Sequence, residues 1–238
     1  FVYRIHEEPT VEKILEFNEF IHNFGHHLKG VGGKIHPKTL QSLLEKIKGS
    51  REEAIISTVM LRSLQKAKYS SENLGHFGLA AKDYSHFTAP IRRYPDLIIH
   101  RIIKDFINDK MDKKQRKRLS KNLPEMCEHC SKRERVADEA ERETDNLKKA
   151  EYMMDKIGMD YDGIISGVTN YGIFVQLANT VEGLVRVTAL DDDYYVYNEK
   201  HYCLIGERTR KVYRLGDTLK IRVSKVDIAS RNIDFVLA

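Results

Sequence analysis

Cysteine is scarce in this chain, which has three cysteines among 238 residues. A small, odd number of cysteines argues against the disulfide framework of a small secreted protein. We therefore expect a reducing, cytoplasmic environment. Cys127 and Cys130 have the spacing of half a zinc site, but a structural zinc ion needs four ligands, and Cys203 with His201 does not form a second pair of the usual kind. Burial of the two thiols is the favoured interpretation.

Long apolar runs and a leader sequence are also missing. No apolar run approaches the length needed to cross a membrane, so we expect no membrane partner. The first residues, FVYRIHEEP, lack the basic, apolar and small-residue order of a signal peptide. They also lack a methionine, which indicates that the chain starts within a longer protein.

The chain is rich in charge and slightly basic. Charged residues make up 32% of it and hydrophobic residues 41%, with a formal net charge of +5. This length and composition allow one or two domains with a real core. The basic balance leans towards a polyanionic partner, although many basic proteins bind no nucleic acid.

Apolar residues at helical spacing predict that residues 1–157 are mostly helical. The first predicted helix has Ile14, Phe17 and Ile21 on one face, and two further helices follow. A long polar helix is predicted over residues 124–157, and Gly158 then marks the expected domain boundary.

Residues 75–101, GHFGLAAKDYSHFTAPIRRYPDLIIHR, join a glycine-bearing loop to an apolar helix. Pro90 excludes a helix before it, and Pro95 fits a first helical turn, where the missing N–H costs nothing. The predicted apolar face of this helix consists of Ile98, Ile99, Ile102, Ile103 and Phe106.

Arg92 and Arg93 are therefore predicted just before a helix N-terminus. Unpaired backbone N–H groups and the helix dipole favour a phosphate at such a place. A guanidinium group can also grip two phosphate oxygens at once. The residues leave one alternative open, in which the arginines are solvated or paired with nearby Asp96.

Residues 158–238 change to short alternating segments. Strands are predicted over residues 161–168, 172–178, 181–187, 218–226 and 232–237. Five short strands predict a small barrel, and the OB-fold is the common barrel of this kind that binds single strands. The expected fold class is therefore α+β, with a mostly helical part followed by a five-stranded OB-fold β-barrel.

The second predicted strand places two kinds of residue on its two faces. Ile173, Val175 and Leu177 would fill the barrel, and Phe174 would point outward. An outward phenylalanine has no packing reason to be there. A base can stack on it, and base–aromatic stacking contributes about 1–3 kcal/mol per base.

Two segments resemble a known family. The sequence HFTAPIRRYPDLIIHR resembles the signature near the end of the catalytic domain in the RNB exoribonuclease family, which includes ribonuclease II and ribonuclease R. The sequence GVTNYGIFVQLANTVEGLVRVTAL resembles the S-one (S1) RNA-binding domain. The insertion at residues 191–217 resembles that of ribonuclease R rather than that of ribonuclease II. Residues 1–157 would then be the C-terminal part of the catalytic domain, and residues 158–238 the S-one domain.

The resemblance implies an activity and residue roles. Family members are processive 3′-to-5′ hydrolytic exoribonucleases that release nucleoside monophosphates. By position, Arg92 would be the catalytic residue that holds the scissile phosphate and neutralises charge as it develops. Arg93, His86 and Thr88 would line the RNA path.

The resemblance to the S-one domain implies a second set of RNA-binding residues. These are Tyr171, Phe174, Arg186, Asp227 and Arg231. Arg186 stands where histidine is common in that domain, so a planar cation replaces an imidazole. The residues leave one alternative open, in which Tyr171 and Phe174 cover a domain interface.

The metal site of the family is not expected within this chain. In the family a cluster of aspartates holds magnesium ions that activate water and stabilise the leaving oxygen. That cluster lies upstream of the signature, and Asp83 and Asp96 do not have the spacing to replace it. No metal ligand is therefore predicted here, and magnesium would be bound by residues outside the segment.

We therefore expect a segment that binds single-stranded RNA without cleaving it, within a longer exoribonuclease. The ribosome or the RNA-decay machinery are further expected partners. Two alternatives stay open: a non-catalytic RNA-binding protein with an inert exonuclease-like half, and DNA binding through the barrel.

Overall fold

The computed structural model describes residues 1–33, 35–50, 52–199 and 201–238. The chain divides into two compact units. The first, called the helical unit, comprises Phe1–Glu19, His26–Lys46 and Val59–Glu139. The second, called the barrel unit, comprises Phe20–Gly25, Ile47–Thr58 and Ala140–Ala238. A mostly helical part precedes a β-rich part along the chain, which confirms the predicted α+β class.

Five α-helices and ten strands form in the described residues. The helices are α1 (Val11–His22), α2 (Pro37–Ile47), α3 (Glu53–Ser63), α4 (Tyr94–Ile107) and α5 (Lys113–Met153). The strands are β1 (Tyr3–Ile5), β2 (Lys68–Ser70), β3 (Asp160–Thr169), β4 (Gly172–Leu177), β5 (Glu182–Arg186), β6 (Tyr195–Asn198), β7 (Cys203–Gly206), β8 (Val212–Arg214), β9 (Thr218–Asp227) and β10 (Asn232–Leu237).

The core of the helical unit includes a cluster in which α4 and α5 pack together. It consists of Val2, Tyr69, Ile98, Ile99, Leu123, Cys127 and Cys130. The predicted burial of Cys127 and Cys130 is thereby confirmed. Burial also raises the pKa of both thiols, that of Cys127 to about 11. The predicted apolar face of α4 was too long, because Phe106 is 65% exposed.

Helix α5 begins at Lys113, so its predicted start near residue 124 was wrong. Pro124 lies inside the helix, where a proline removes one backbone hydrogen bond and costs about 3 kcal/mol. Leu123 and Cys127 on either side are buried in the cluster with α4. We infer that this packing offsets the cost, so the helix continues through the proline.

The barrel unit contains a closed five-stranded barrel in the order β10-β5-β4-β3-β9. Neighbouring strands are antiparallel except β5 and β10, which are parallel. These are the five strands predicted from alternation. Ile173, Val175 and Leu177 of β4 are buried inside, as predicted, and Phe174 is half-buried on the outer face.

The insertion between β5 and β9 forms its own antiparallel sheet, β6-β7-β8. Tyr195 and Tyr213 are buried in it, with ring centroids 5.3 Å apart, whereas Tyr194 is 70% exposed. Burial in the core cluster of the barrel unit therefore accounts for two of the insertion's tyrosines. Lys200 of this insertion lies outside the described residues. In the described part of the chain, no helix has the length and apolar character needed to span a membrane.

Candidate nucleic-acid interface

A tight turn leads into α4 and positions the two arginines of the signature. The N–H groups of Arg92 and Arg93 donate to the carbonyl of Ala89 at 3.2 and 2.9 Å. Asp96, in the first turn of α4, is fully buried. Its Oδ2 accepts from the Ala89 N–H at 2.8 Å. The side chain of Asp96 thus ties the start of the turn to the start of the helix.

The two arginines have different surroundings. The guanidinium of Arg93 donates to Oδ2 of Asp96 at 2.9 Å, and only 22% of the Arg93 side chain is exposed. It also lies 3.5 Å from Oγ1 of Thr88. Arg92 is exposed, and its side chain has no partner among the described residues. The ion pair with Asp96 therefore occupies the guanidinium group of Arg93, whereas the guanidinium group of Arg92 is accessible to a ligand.

His86 belongs to a half-buried polar network. Its Nδ1 lies 3.0 Å from the Tyr69 hydroxyl, which also lies 3.4 Å from Oε1 of Glu134. Arg4 donates to Oε2 of Glu134 at 2.6 Å and stacks over the Tyr69 ring, 4.6 Å from its centroid. Residues of β1, β2 and α5 therefore hold the His86 side chain in place.

Shifts in two pKa values favour the neutral forms of Tyr69 and His86 in this network. Burial, assisted by the carboxylate of Glu134, raises the pKa of Tyr69 to about 12, so the phenol stays neutral. Burial, followed by the charges of Arg93 and Arg4, lowers the pKa of His86 from 6.5. His86 is therefore mainly neutral at pH 7. Thr88, which is also predicted to line the RNA path, is exposed, whereas His86 is half-buried.

A second surface lies in the barrel unit, where a groove of about 570 Å³ opens to solvent. It brings together four of the five residues predicted for the barrel: Tyr171, Phe174, Arg186 and Arg231. Tyr171 is 53% exposed, and its ring meets that of Phe174 edge to face at 6.1 Å. The groove thus presents an accessible aromatic pair beside guanidinium groups.

Both predicted arginines of the groove already have carboxylate partners. Arg186 lies 3.2 Å from Oδ1 of Asp234, and Arg231 lies 2.9 Å from Oε2 of Glu143. Arg231 has a positive φ of 58° at the turn between β9 and β10. These ion pairs hold the guanidinium groups at the groove without burying them.

Asp227 is not among the residues that line the groove. Its Oδ1 accepts from the N–H of Ser230 at 3.2 Å, and this bond lowers the pKa of the carboxyl group. Asp227 thus stabilises the turn that carries Arg231.

Sequence reasoning missed residues at both surfaces. Arg4, Tyr69 and Glu134 are far from the signature in sequence, and only the fold brings them beside it. The groove is also lined by Arg142, Asn146 and Lys149 of α5. Their spacing of four and three residues was a usable signal, but on a long polar helix it is typical of a solvated face.

No group of three His, Cys, Asp or Glu residues that could hold a metal ion occurs in the described ranges. Asp83 accepts a hydrogen bond from the Asn73 amide, and Asp96 is bound to Arg93 and to Ala89. Both carboxylates are therefore engaged in contacts within the protein, and neither belongs to a metal-binding cluster of the described residues.

Comparisons with known proteins identify two domains. Residues 1–109 match the family model described as the RNB domain, and residues 155–237 match the S1 RNA binding domain. Ribonuclease R 1 of Lactococcus lactis subsp. lactis is 46% identical over 235 residues, which is 99% of this chain and 29% of the relative. Ribonuclease R of Thermotoga maritima is 44% identical over 240 residues, 100% of this chain and 34% of the relative.

Solved structures of RNase R are similar to this chain over its whole length. The apo form of Mycoplasma genitalium RNase R superposes with a TM-score of 0.90 at 28% identity, covering 100% of this chain and 38% of that chain. Its complex with ribose methylated single-stranded RNA matches equally well. The chain spans about a third of the length of the curated relatives it matches. With an RNB domain, an S1 domain and these relatives, the chain belongs to the ribonuclease R family of RNB-domain proteins.

Proposed function

We propose that this chain is a segment of a processive 3′-to-5′ exoribonuclease that releases nucleoside 5′-monophosphates, and that the segment itself binds single-stranded RNA. In this proposal residues 1–157 contribute the end of the catalytic domain and residues 158–238 form the S1 domain. Support comes from the ribonuclease R relatives and from the RNA held by the Mycoplasma genitalium protein.

The observation that carries RNA binding is the groove of the barrel unit. Its pair of an exposed Tyr171 and a half-buried Phe174 offers ring faces for bases, and stacking on such rings is tolerant of sequence. Arg186 and Arg231 lie beside the pair and can meet phosphates. Asp227 acts through the turn that presents Arg231.

The observation that carries phosphate binding in the helical unit is the contrast between two arginines. Arg93 is held by Asp96, whereas Arg92 is exposed at the start of α4. Arg92 would bind the scissile phosphate and neutralise charge as it develops in the transition state. Arg93 would position this turn, while Thr88 and His86 would line the RNA path beside it.

Magnesium ions would activate the attacking water and stabilise the leaving oxygen. In this proposal the ions are bound by residues outside this chain. The segment alone is therefore expected to leave RNA intact. A cytoplasmic location, and partners in the ribosome or the RNA-decay machinery, are proposed from the family resemblance.

The binding proposal is tested by fluorescence anisotropy with a single-stranded RNA oligomer at fixed salt. Phe174→Ala should weaken binding about 5- to 150-fold, because a stacked base contributes about 1–3 kcal/mol. Tyr152→Ala is the matched control, since Tyr152 is an exposed aromatic of the barrel unit outside the groove. A DNA oligomer of the same sequence, at the same salt, tests DNA as the ligand.

Equal affinity of the Phe174→Ala and Tyr152→Ala variants would contradict the assignment of the groove. Tighter binding of DNA than of RNA would point to the DNA-binding alternative. Adding Mg²⁺ to the RNA complex of the purified segment should leave the oligomer uncut, and exonucleolysis there would refute the proposed location of the metal site.

A further inference from the structure

The C-terminal part of α5 is fixed on the barrel. Ala150 and Met153 have no exposed surface and belong to the core cluster of the barrel unit, together with Ile173 and Val175 of β4. Side chains on the adjoining face of α5 therefore have a defined place beside the barrel strands.

Three residues of α5 line the groove that contains the aromatic pair. They are Arg142, Asn146 and Lys149. At 100° per residue, positions separated by four and three residues fall within about 60° of one another on a helix. One face of α5 thus forms a wall of the groove.

Two contacts tie this wall to the barrel. The ammonium group of Lys149 donates to the carbonyl of Thr180 at 2.9 Å. Glu143 of α5 binds Arg231, which follows β9, at 2.9 Å. One hydrogen bond from a side chain to a backbone carbonyl and one ion pair therefore link α5 to the barrel.

The cationic side chains of the groove differ in their partners within the protein. Arg186 and Arg231 have carboxylate partners, and Lys149 has a carbonyl. Arg142 is exposed, and its side chain has no partner in the described part of the chain. Its guanidinium group can therefore bind a phosphate without first breaking a contact within the protein.

We propose that α5 forms the second wall of the RNA groove and that Arg142 binds a backbone phosphate of the RNA whose bases stack on Tyr171 and Phe174. This wall lies between the two family-model matches, residues 1–109 and 155–237, so neither domain assigns it a role. The inference rests on the proposed RNA binding of the groove and adds a helix to it.

The test compares Arg142→Gln with Lys148→Gln in the complete 238-residue chain. Both changes remove one positive charge from α5, but Lys148 is bound to Glu151 and lies outside the groove. Affinity for a single-stranded RNA oligomer is measured by fluorescence anisotropy over a series of salt concentrations. Arg142→Gln should weaken binding several-fold and reduce the slope of log K against log salt by about 0.7, the value for one phosphate contact on a single strand. Arg142→Lys should restore most of both.

Each outcome has a defined meaning. If Phe174→Ala weakens binding while Arg142→Gln does not, the role of α5 is refuted and the barrel surface stands. If neither change weakens binding, the proposed groove itself fails. Equal weakening by Arg142→Gln and Lys148→Gln would show a general charge effect and overturn the inference. Thermal unfolding of the variants should match that of the unsubstituted chain, because both side chains are exposed.

Discussion

Arg92 and Arg93 are adjacent, yet different atoms of the fold decide what each can do. Asp96 has no exposed surface, so its charge has to be compensated inside the protein, and Arg93 supplies the compensation. The sequence could place both arginines before a helix because Pro95 marks its start. It could not tell which arginine pairs with Asp96, since only the folded turn shows that Arg93 reaches the carboxylate while Arg92 is exposed.

The ion pair at the start of α4 predicts a large loss of stability when Asp96 is truncated. Asp96→Ala removes the acceptor of Arg93 and of the Ala89 N–H, and leaves a partly buried guanidinium unpaired. Losing one partner of a buried pair costs about 3 to 5 kcal/mol. Urea unfolding of the chain, followed by circular dichroism, measures this.

A suitable control for that change is Asp138→Ala, which alters an exposed carboxylate of α5 and should shift stability by less than about 0.5 kcal/mol. Similar unfolding midpoints for the two variants would show that the Asp96 pair is not needed to hold the turn.

At the scale of elements, regular alternation was easy to predict and packing across long distances was not. The barrel strands follow from the alternation of buried and exposed residues, as in Ile173, Phe174 and Val175. Helix α5 passes through Pro124 because its neighbours pack against α4, which local sequence does not show. Arg142 was missed for a similar reason, since a groove wall and a solvated helix face have the same pattern.

Gly172 gives a prediction at this scale, because it lets β4 approach β5 closely. A Cβ at this position would collide with the carbonyl oxygen of Val185 and come within 3.0 Å of Cα of Arg186. Both are backbone atoms, which cannot move without distorting the barrel. Gly172→Ala should therefore cost more than about 1 kcal/mol of unfolding free energy and weaken RNA binding, because Tyr171 and Phe174 flank the site.

Gly32→Ala provides the comparison, since a Cβ there would meet nothing within 4 Å. Thermal unfolding and anisotropy measured on both variants test the prediction. A Gly172→Ala chain with unchanged melting temperature and RNA affinity would contradict the close approach of the two strands.

At the scale of the whole molecule, the sequence predicted two parts in the right order but not how chain segments divide between the units. Residues Phe20–Gly25 and Ile47–Thr58 belong to the barrel unit although they come from the helical half of the sequence. Contacts such as that of the Phe20 and Tyr202 rings, with centroids 5.4 Å apart, join residues too far apart in sequence for local patterns to reveal.

The two units would have separate tasks. The barrel unit would stack bases and bind phosphates along its groove, and the helical unit would bind a phosphate through Arg92. Residues outside this chain would bind the metal ions. Binding and hydrolysis should therefore respond differently to substitutions, since in this proposal the groove would contribute to affinity and Arg92 to turnover.

The most direct test is the rate of RNA hydrolysis by the complete polypeptide that contains this chain, with Arg92→Ala compared with Arg101→Ala. Arg101 is an exposed arginine on α4 and controls for the loss of one charge near the same helix. We expect Arg92→Ala to lower kcat by about 100-fold or more, as for the loss of one group that stabilises transition-state charge, and Arg101→Ala to retain nearly full turnover. Equal turnover of the two variants would contradict the proposed role of Arg92 at the scissile phosphate.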